Sequence, residues 1–197
     1  MNPVLVFIAG IVSAIIVENV LLMRYLGMCS FVGVSTKMKS SIGMGVAVTL
    51  IMIIATLITY PLYNYVLVTL DIAYIDTIVF ILVIAVLVQL TEMILKRFIK
   101  PLYKAFGLYL PLITTNCAIL GIAQIGAQVD TFSNVLALSI GSGLGYAIVM
   151  ILFTAIRLRL ESANIPKALK GAPIAFIVAG LMALAFFGLG FPGLLIK

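Results

Sequence analysis

Long apolar stretches dominate this chain, and short polar segments separate them. Charge-free runs cover residues 40–70, 105–129, 131–156 and 171–196. A bilayer core about 30 Å thick takes roughly 20 apolar residues as a helix, so each run is long enough to cross it. Two further spans are indicated, one over residues 4–23, interrupted by Glu18 and Asn19, and one over residues 74–95. The pattern predicts an all-α integral membrane protein with six transmembrane helices.

Composition supports a membrane protein and excludes an ordinary soluble domain. Of the 197 residues, 64% are hydrophobic and 9% are charged, and the chain has no histidine or tryptophan. Soluble domains carry about 25% charged residues. The N-terminal segment lacks the basic start and the small-residue cleavage site of a signal peptide, so we expect it to remain as the first span.

The sign of the charge alternates from one predicted loop to the next, and this alternation sets the expected orientation. Basic residues follow the first, third and fifth spans, whereas Asp71 and Asp76 follow the second span and Asp130 follows the fourth. Loops rich in lysine and arginine stay on the cytoplasmic side of a membrane, so both termini are expected outside. The net charge of +6 then reflects topology and calls for no nucleic acid partner.

An internal repeat organises the six spans. Three segments recur in the same order, 29–34 as 117–122, 41–45 as 139–143, and 78–83 as 174–179. Each unit holds three spans, about 1–96 and 97–197, within one membrane domain. Because three is an odd number of crossings, the second unit enters the membrane from the opposite side, and two inverted repeats are expected. The glycines within 43–45 and 141–145 predict close helix packing.

Both cysteines lie where the sequence disfavours a continuous helix. Pro111, which removes a backbone hydrogen-bond donor, precedes Cys117 by six residues. In the first unit an apolar stretch of about 35 residues would extend about 50 Å as one helix, so Gly27 and the pair Glu18-Asn19 are the candidate break points. Non-helical backbone at membrane depth is tolerated only where protein or a cavity covers it. We therefore expect broken or half helices to carry the cysteines and to mark a binding site.

Two thiols near the membrane midplane have three interpretations from the residues alone. Each cysteine can be a small inert hydrophobe, the two can form a disulfide, or they can bind a metal or an iron–sulfur cluster. A tetrathiolate site needs four ligands, and this chain has two cysteines and no histidine. The metal interpretation therefore requires a second subunit that supplies the other pair.

Several segments around the cysteines resemble a known family. They are Leu110-Pro-Leu-Ile-Thr-Thr-Asn-Cys117-Ala-Ile-Leu-Gly121, Gln89-Leu-Thr-Glu92-Met, Tyr25-Leu-Gly-Met-Cys29-Ser-Phe-Val-Gly-Val-Ser35 and Ala179-Gly-Leu-Met-Ala183. Together they look like the A-type subunit of the Rnf complex, an ion-translocating ferredoxin:NAD⁺ oxidoreductase, and are similar to the homologous D and E subunits of the sodium-pumping NADH:quinone oxidoreductase. The resemblance runs essentially end to end, and Thr115 before Asn116 favours the Rnf branch.

The resemblance implies a role in electron and ion transport. It implies a [2Fe-2S] cluster inside the membrane, held by Cys29 and Cys117 together with two cysteines of an inverted homologous partner of the E type. It also implies a translocase subunit in the inner (cytoplasmic) membrane of a prokaryote, assembled with the other Rnf subunits, on which ferredoxin and NADH react. The chain has no G-x-G-x-x-G after a strand, so no nucleotide site and no catalytic residue of its own are expected.

Four further residues are candidates near the site or on the ion path. Thr115 and Asn116 are placed to cap the half-helix of the second cysteine and to direct backbone N–H groups at cluster sulfurs. Glu18 and Glu92 lie within or beside apolar spans, where ionisable groups are functional candidates. A surface pair with Lys96 is the alternative for Glu92, and capping of a helix break is the alternative for Glu18. The sequence does not distinguish Na⁺ from H⁺.

A secondary transporter for an ion or a small solute is the alternative function. Inverted three-span repeats with broken helices also build such carriers, and a carrier works without the cysteines. A structural anchor is a third possibility, in which the chain serves assembly but takes no part in electron transfer. Replacing the cysteines distinguishes the electron-transfer hypothesis from both.

Overall fold

The structure is a computed structural model, and it describes residues 3–16, 19–68, 75–98, 116–129, 131–163, 166 and 169–189. Helices account for most of this part of the chain, and it contains no strand, which confirms the all-α class. The helices are α1 (Pro3–Ile16), α2 (Val20–Met23), α3 (Met28–Val34), α4 (Met38–Leu62), α5 (Asp76–Phe98), α6 (Cys117–Ala127), α7 (Phe132–Glu161) and α8 (Ala172–Leu189). A π-helical segment, Tyr63–Leu67, continues α4. Each predicted span overlaps at least one of these helices.

Within the part of the chain that the structure describes, two helices are by themselves long and apolar enough to cross a bilayer. They are the continuous helix Met38–Tyr65, of 28 residues, and Phe132–Glu161, of 30 residues. At 1.5 Å per residue, both exceed the core thickness of about 30 Å. The apolar helical segments Thr77–Leu90, Cys117–Ala127 and Ala172–Gly188 are shorter. The second and fifth predicted spans are thus matched by full-length helices, and the total of six crossings stays a prediction.

The outward faces of the long helices are apolar. Large hydrophobic side chains are exposed on five helices, for example Ile8 and Val12 on α1, Val46 and Leu50 on α4, Ile81 and Val86 on α5, Ile148 and Leu152 on α7, and Leu181 and Leu184 on α8. Soluble monomers rarely expose such extended apolar surface. The arrangement suits helices whose outer faces contact lipid.

The helices α4 and α7 cross in direct backbone contact at two glycines. A Cβ built on Gly45 would lie 3.1 Å from the Cα of Ala147, and one built on Gly143 would lie 3.1 Å from the Cα of Thr49. Small residues let transmembrane helices approach closely. The neighbouring glycines of α7 pack against α1 in the same way. The predicted close packing is confirmed at Gly45, Gly141, Gly143 and Gly145, and for Gly43 it stays a prediction.

Two buried hydroxyl pairs join α4 to α7 on either side of this crossing. Ser41 Oγ lies 2.7 Å from Thr154 Oγ1, and Ser139 Oγ lies 2.7 Å from Thr56 Oγ1. Residue numbers rise along α4 as they fall along α7, so the two helices are antiparallel. Each residue of the first pair has its counterpart in the second pair 98 positions away, the offset between the similar segments 41–45 and 139–143. The helices therefore meet through matching positions of the repeated sequence.

The first apolar stretch is broken at two expected points. The helix α2 begins directly after Asn19, whose Oδ1 accepts a hydrogen bond from the N–H of Leu21 at 3.1 Å. Glu18 lies outside the described residues. The second break precedes α3, where Gly27 has a φ of 88°, in the left-handed region that favours glycine. The predicted breaks at Asn19 and Gly27 are confirmed.

The helix that carries the second cysteine is half the length of a transmembrane span. α6 has 11 residues and is therefore about 17 Å long. Asn116 is its N-cap, and its Oδ1 accepts the N–H of Ala118 at 3.1 Å, which satisfies one free donor of the first turn. The predicted half-helix and the predicted cap at Asn116 are confirmed. Pro111 and Thr115 fall outside the residues that the structure describes.

Alanine at Gly143 is expected to destabilise the chain, whereas alanine at Gly180 is not. A Cβ at Gly143 would lie 2.7 Å from Thr49 Cγ2, but one at Gly180 meets no heavy atom within 4 Å. Overpacking costs about 1–3 kcal/mol, and each kcal/mol shifts the Tm of a chain of this size by about 2–4 °C. Thermal unfolding of the purified chain in detergent measures the difference. Equal Tm values for the two variants would contradict the close crossing of α4 and α7.

Candidate cysteine site

The two cysteines lie at the starts of two short helices. Cys29 is the second residue of α3, and Cys117 is the first residue of α6. Both are free thiols, and Cys29 is exposed while Cys117 is half-buried. The structure therefore does not contain the disulfide considered among the alternatives, and both side chains reach the surface of the chain.

A hydrogen bond joins the two cysteine segments. The backbone N–H of Gly27 donates to Sγ of Cys117 at 2.8 Å, across 90 positions of sequence. Gly27 lies two residues before Cys29, so this bond holds the start of α3 beside the start of α6. An N–H donor stabilises negative charge on sulfur and tunes the properties of a bound metal. The sequence predicted such donors near Thr115 and Asn116, and the structure adds one at Gly27.

Space and backbone conformation both require glycine at position 27. Its φ of 88° is costly for a residue with a side chain. A Cβ there would also lie 3.0 Å from Asn116 Oδ1, 3.2 Å from Tyr146 Cε2 and 3.3 Å from Ala118 Cβ. Without a side chain, the amide of Gly27 can approach the sulfur of Cys117.

A buried hydrogen-bond network lies beside the cysteines. Ser30 Oγ donates to the carbonyl of Gly27 at 2.8 Å and lies 2.7 Å from the hydroxyl of Tyr146. A serine hydroxyl has one proton, so Tyr146 is the donor in its bond with Ser30. Asn116 Nδ2 donates to the same Ser30 oxygen at 3.5 Å. The network connects the residue after Cys29, the residue before Cys117, and α7.

Sequence reasoning missed Ser30 and Tyr146. Both are fully buried, at 0% and 1% exposure, although a hydroxyl in an apolar span normally requires a partner. That requirement is the signal that points to them, but it does not identify the partner, because Ser30 and Tyr146 are 116 positions apart.

An open groove of about 400 Å³ lies against Cys117. Its lining includes Arg24, Leu26, Gly121 and Gln124. Arg24 brings a positive charge to this face of the chain. The groove thus combines a sulfur ligand, a cation and accessible space.

The donor set fits an iron–sulfur cluster that is shared with another subunit. Thiolates suit iron clusters, and this chain brings two of them together on neighbouring helix starts. Among the residues that the structure describes, no three or more His, Cys, Asp or Glu side chains form a metal-binding group. With two cysteines and no histidine, the chain can provide at most two of the four thiolates of such a cluster, so a cluster held here would need two more ligands from another chain.

The other predicted site residues remain untested. Thr115 and Glu18 lie outside the described residues. Glu92 lies within α5, but its side chain is outside the described part of the structure. The ion path through Glu18 and Glu92 stays a prediction.

The chain matches a known family over nearly its whole length. Residues 7–192 match the family described as "Rnf-Nqr subunit, membrane protein". The chain belongs to the Rnf-Nqr family. The resemblance inferred from the cysteine segments is thereby confirmed, and the apolar outer faces of the helices have their explanation in the membrane location of this family.

Named relatives cover the same length, and each is the A-type subunit of its complex. The one from the Na(+)-translocating ferredoxin:NAD(+) oxidoreductase complex of Acetobacterium woodii is 50% identical over 191 residues, which are 96% of this chain and 97% of that protein. The one from the ion-translocating oxidoreductase complex of Actinobacillus pleuropneumoniae is 47% identical over 192 residues, 95% of this chain and 97% of that protein. Its counterpart in Proteus mirabilis is 47% identical over 184 residues, which are 93% of this chain and 94% of that protein. Such similarity supports the A-type assignment made from the sequence.

Alanine at Gly27 is expected to disrupt the site, whereas alanine at Gly33 serves as the matched control. Gly27 has a positive φ and close neighbours, but a Cβ at Gly33 in α3 meets no atom within 4 Å. Strain of this kind costs about 1–3 kcal/mol, so the Tm of the purified chain should fall by about 2–4 °C for each kcal/mol. Differential scanning fluorimetry in detergent measures it. Equal Tm values for Gly27→Ala and Gly33→Ala would contradict the close packing of Gly27 against the start of α6.

Proposed function

We propose that this chain is a membrane subunit of an ion-translocating ferredoxin:NAD⁺ oxidoreductase complex. With a homologous inverted partner of the E type, Cys29 and Cys117 hold an intramembrane [2Fe-2S] cluster that relays electrons across the membrane and couples this transfer to Na⁺ or H⁺ movement. The hydrogen bond from Gly27 N–H to Cys117 Sγ carries the proposal, because it brings two thiol-bearing helix starts together at the protein surface. The names of the relatives from Acetobacterium and Actinobacillus support the assignment to such a complex.

The proposed architecture is six transmembrane helices in two inverted repeats. A two-fold axis that exchanges α4 and α7 requires reciprocal contacts: where two residues touch, their two counterparts must touch as well. The pairs Ser41–Thr154 and Ser139–Thr56 meet this requirement. An axis of this kind lies in the membrane plane when the two units have opposite orientation, and equivalent broken helices then meet near the midplane.

The residues of this chain bind the cluster and hold its ligands in place. When bound, the cluster supplies a one-electron carrier partway through a hydrocarbon core about 30 Å thick, which is too thick for one useful electron-transfer step. Cys29 and Cys117 provide thiolate ligands. The amide of Gly27 stabilises negative charge on the Cys117 sulfur, and the Ser30–Tyr146 hydrogen bond keeps the start of α3 against α7.

The proposed location is the inner membrane of a prokaryotic cell, with both termini outside. The basic loops after the first, third and fifth spans support this orientation through the positive-inside rule. The chain works with its E-type partner and the other Rnf subunits, on which ferredoxin and NAD⁺ react. It contributes the membrane part of the electron path.

Replacing either cysteine is expected to remove one cluster from the assembled complex. Cys29→Ser and Cys117→Ser each exchange a soft thiolate for a hydroxyl that binds iron poorly. Iron analysis and EPR of the purified complex should show the loss of one [2Fe-2S] signal, with subunit composition unchanged. The control is Cys29→Ser combined with Ser162→Cys, which restores the number of thiols at the exposed end of α7 and should not restore the signal.

The same experiment distinguishes the alternative functions. Unchanged iron content and EPR spectra in an assembled Cys29→Ser complex would contradict the proposal and favour a secondary transporter, which does not need the thiols. Normal electron transfer in a complex that assembles poorly would instead favour a structural anchor.

We also propose that the ion path uses Glu18 and Glu92. Glu18→Gln and Glu92→Gln should each lower ion transport at least about tenfold, or about 1.4 kcal/mol in ion binding, because an intramembrane carboxylate attracts a cation. Ion uptake by proteoliposomes that contain the complex measures this, and the EPR signal of the cluster should not change. Glu161→Gln, at the exposed end of α7, is the control. An equal loss in that control, or normal transport in both intramembrane variants, would remove these residues from the path.

A further inference from the structure

Arg157, near the C-terminal end of α7, is bound to the helix that carries the first cysteine. Its Nη1 donates to the carbonyl of Val32 and to Oγ of Ser35, each at 2.7 Å. Val32 belongs to the last turn of α3, and Ser35 is the C-cap of that helix. The last carbonyls of a helix have no partner within it, and they carry partial negative charge. The guanidinium therefore satisfies and neutralises the C-terminal end of α3.

The environment of Arg157 differs from that of a solvated surface cation. Its side chain is half-buried, whereas Arg159, two positions further along α7, is exposed. The planar guanidinium can hold two acceptors in a fixed geometry, which the ammonium of lysine does less well. Arg157 is thus a positioned charge, and Arg159 offers a matched comparison on the same helix turn.

Two other side chains of α7 contact α3. The hydroxyl of Tyr146 lies 2.7 Å from Ser30 Oγ. The ring of Phe153 stacks on that of Phe31, with centroids 3.9 Å apart and planes inclined by 26°. Tyr146, Phe153 and Arg157 follow each other at spacings of seven and four residues, which place them on one face of α7. This face holds α3 at its start, its middle and its end.

We propose that Arg157 is a positioning residue for Cys29. By binding the C-terminal end of α3, it fixes this helix and hence the sulfur of Cys29 relative to Cys117. Its positive charge also favours the site in its more negative, reduced state. This inference rests on the proposed function, because the reduced state means one additional electron on the shared cluster, delivered and removed by the redox partners of the complex.

Because α3 is short, the charge of Arg157 lies near enough to Cys29 to act on its sulfur. Seven residues span about 10 Å of helix, so Arg157 acts within about one Debye length of Cys29 at physiological ionic strength. A partly buried charge is screened less than a solvated one. Arg159, which is exposed, should have a much weaker influence.

The test is redox titration of the purified complex, followed by EPR, with the signal assigned to this site through its loss in Cys29→Ser. In Arg157→Gln the equilibrium constant for reduction should fall about tenfold, equivalent to a midpoint potential about 59 mV lower for one electron. Arg157→Lys keeps the charge and should restore most of the potential. Arg159→Gln should titrate as the wild type does.

Hydrogen exchange of the same complexes tests the positioning without depending on the cluster. Amides of α3 (Met28–Val34) should exchange several-fold faster in Arg157→Gln, while those of α6 (Cys117–Ala127) should not. Ser35→Ala removes one acceptor of Arg157 and the 3.4 Å hydrogen bond from Ser35 Oγ to the Val32 carbonyl, but it keeps the cation and should give a smaller acceleration in α3. This second variant covers the case in which Arg157→Gln fails to assemble.

The outcomes separate this inference from the proposed function. A wild-type potential together with wild-type exchange of α3 in assembled Arg157→Gln would overturn the role of Arg157, as would an equal potential shift in Arg159→Gln. Exchange of α3 that is unchanged in Ser35→Ala would also count against it. If the wild type itself shows no cluster signal that depends on Cys29, the proposed function fails, whereas faster exchange in the variants would still support the contact between Arg157 and α3.

Discussion

The other described helices are arranged around the close antiparallel crossing of α4 and α7. Lipid provides no hydrophobic drive that pulls two apolar helices together, so close packing and interhelical hydrogen bonds must hold them. Gly45 and Gly143 allow backbone contact at the crossing, and buried hydroxyl pairs bind the helices on both sides of it. With α7 fixed in this way, its Tyr146 and Arg157 can hold the helix that carries Cys29.

The broken helices follow from a second constraint, the need to satisfy backbone groups where water is absent. Asn19 and Asn116 each accept an N–H at the start of a short helix. At Gly27 the acceptor is the sulfur of Cys117. One hydrogen bond therefore serves the fold and the candidate site together, because it satisfies a backbone donor and stabilises negative charge on the Cys117 sulfur, the proposed ligand.

Local sequence features predicted the helices, the breaks at Asn19 and Gly27 and the cap at Asn116. They also marked the two cysteines as candidate ligands. These follow from apolar run length, capping preference and the side chains that iron binds. Three long-range contacts could not be predicted from the sequence, because each joins residues at least 90 positions apart and no spacing in the chain encodes it. They are the contacts of Gly27 with Cys117, Ser30 with Tyr146 and Arg157 with Val32. The hydroxyl pairs between α4 and α7 have a partial signal in the sequence, because the 98-residue offset of the repeat relates each residue of one pair to a residue of the other.

In the proposed function, Cys29 and Cys117 supply half of the ligands of a cluster at a subunit boundary inside the membrane. A cryo-EM map of the intact complex tests it most directly. We expect density for a [2Fe-2S] cluster that is continuous with the sulfurs of Cys29 and Cys117 and with two cysteines of a partner related to this chain by a pseudo-two-fold axis. Cysteines that instead face lipid, or that lie apart without shared density, would contradict it.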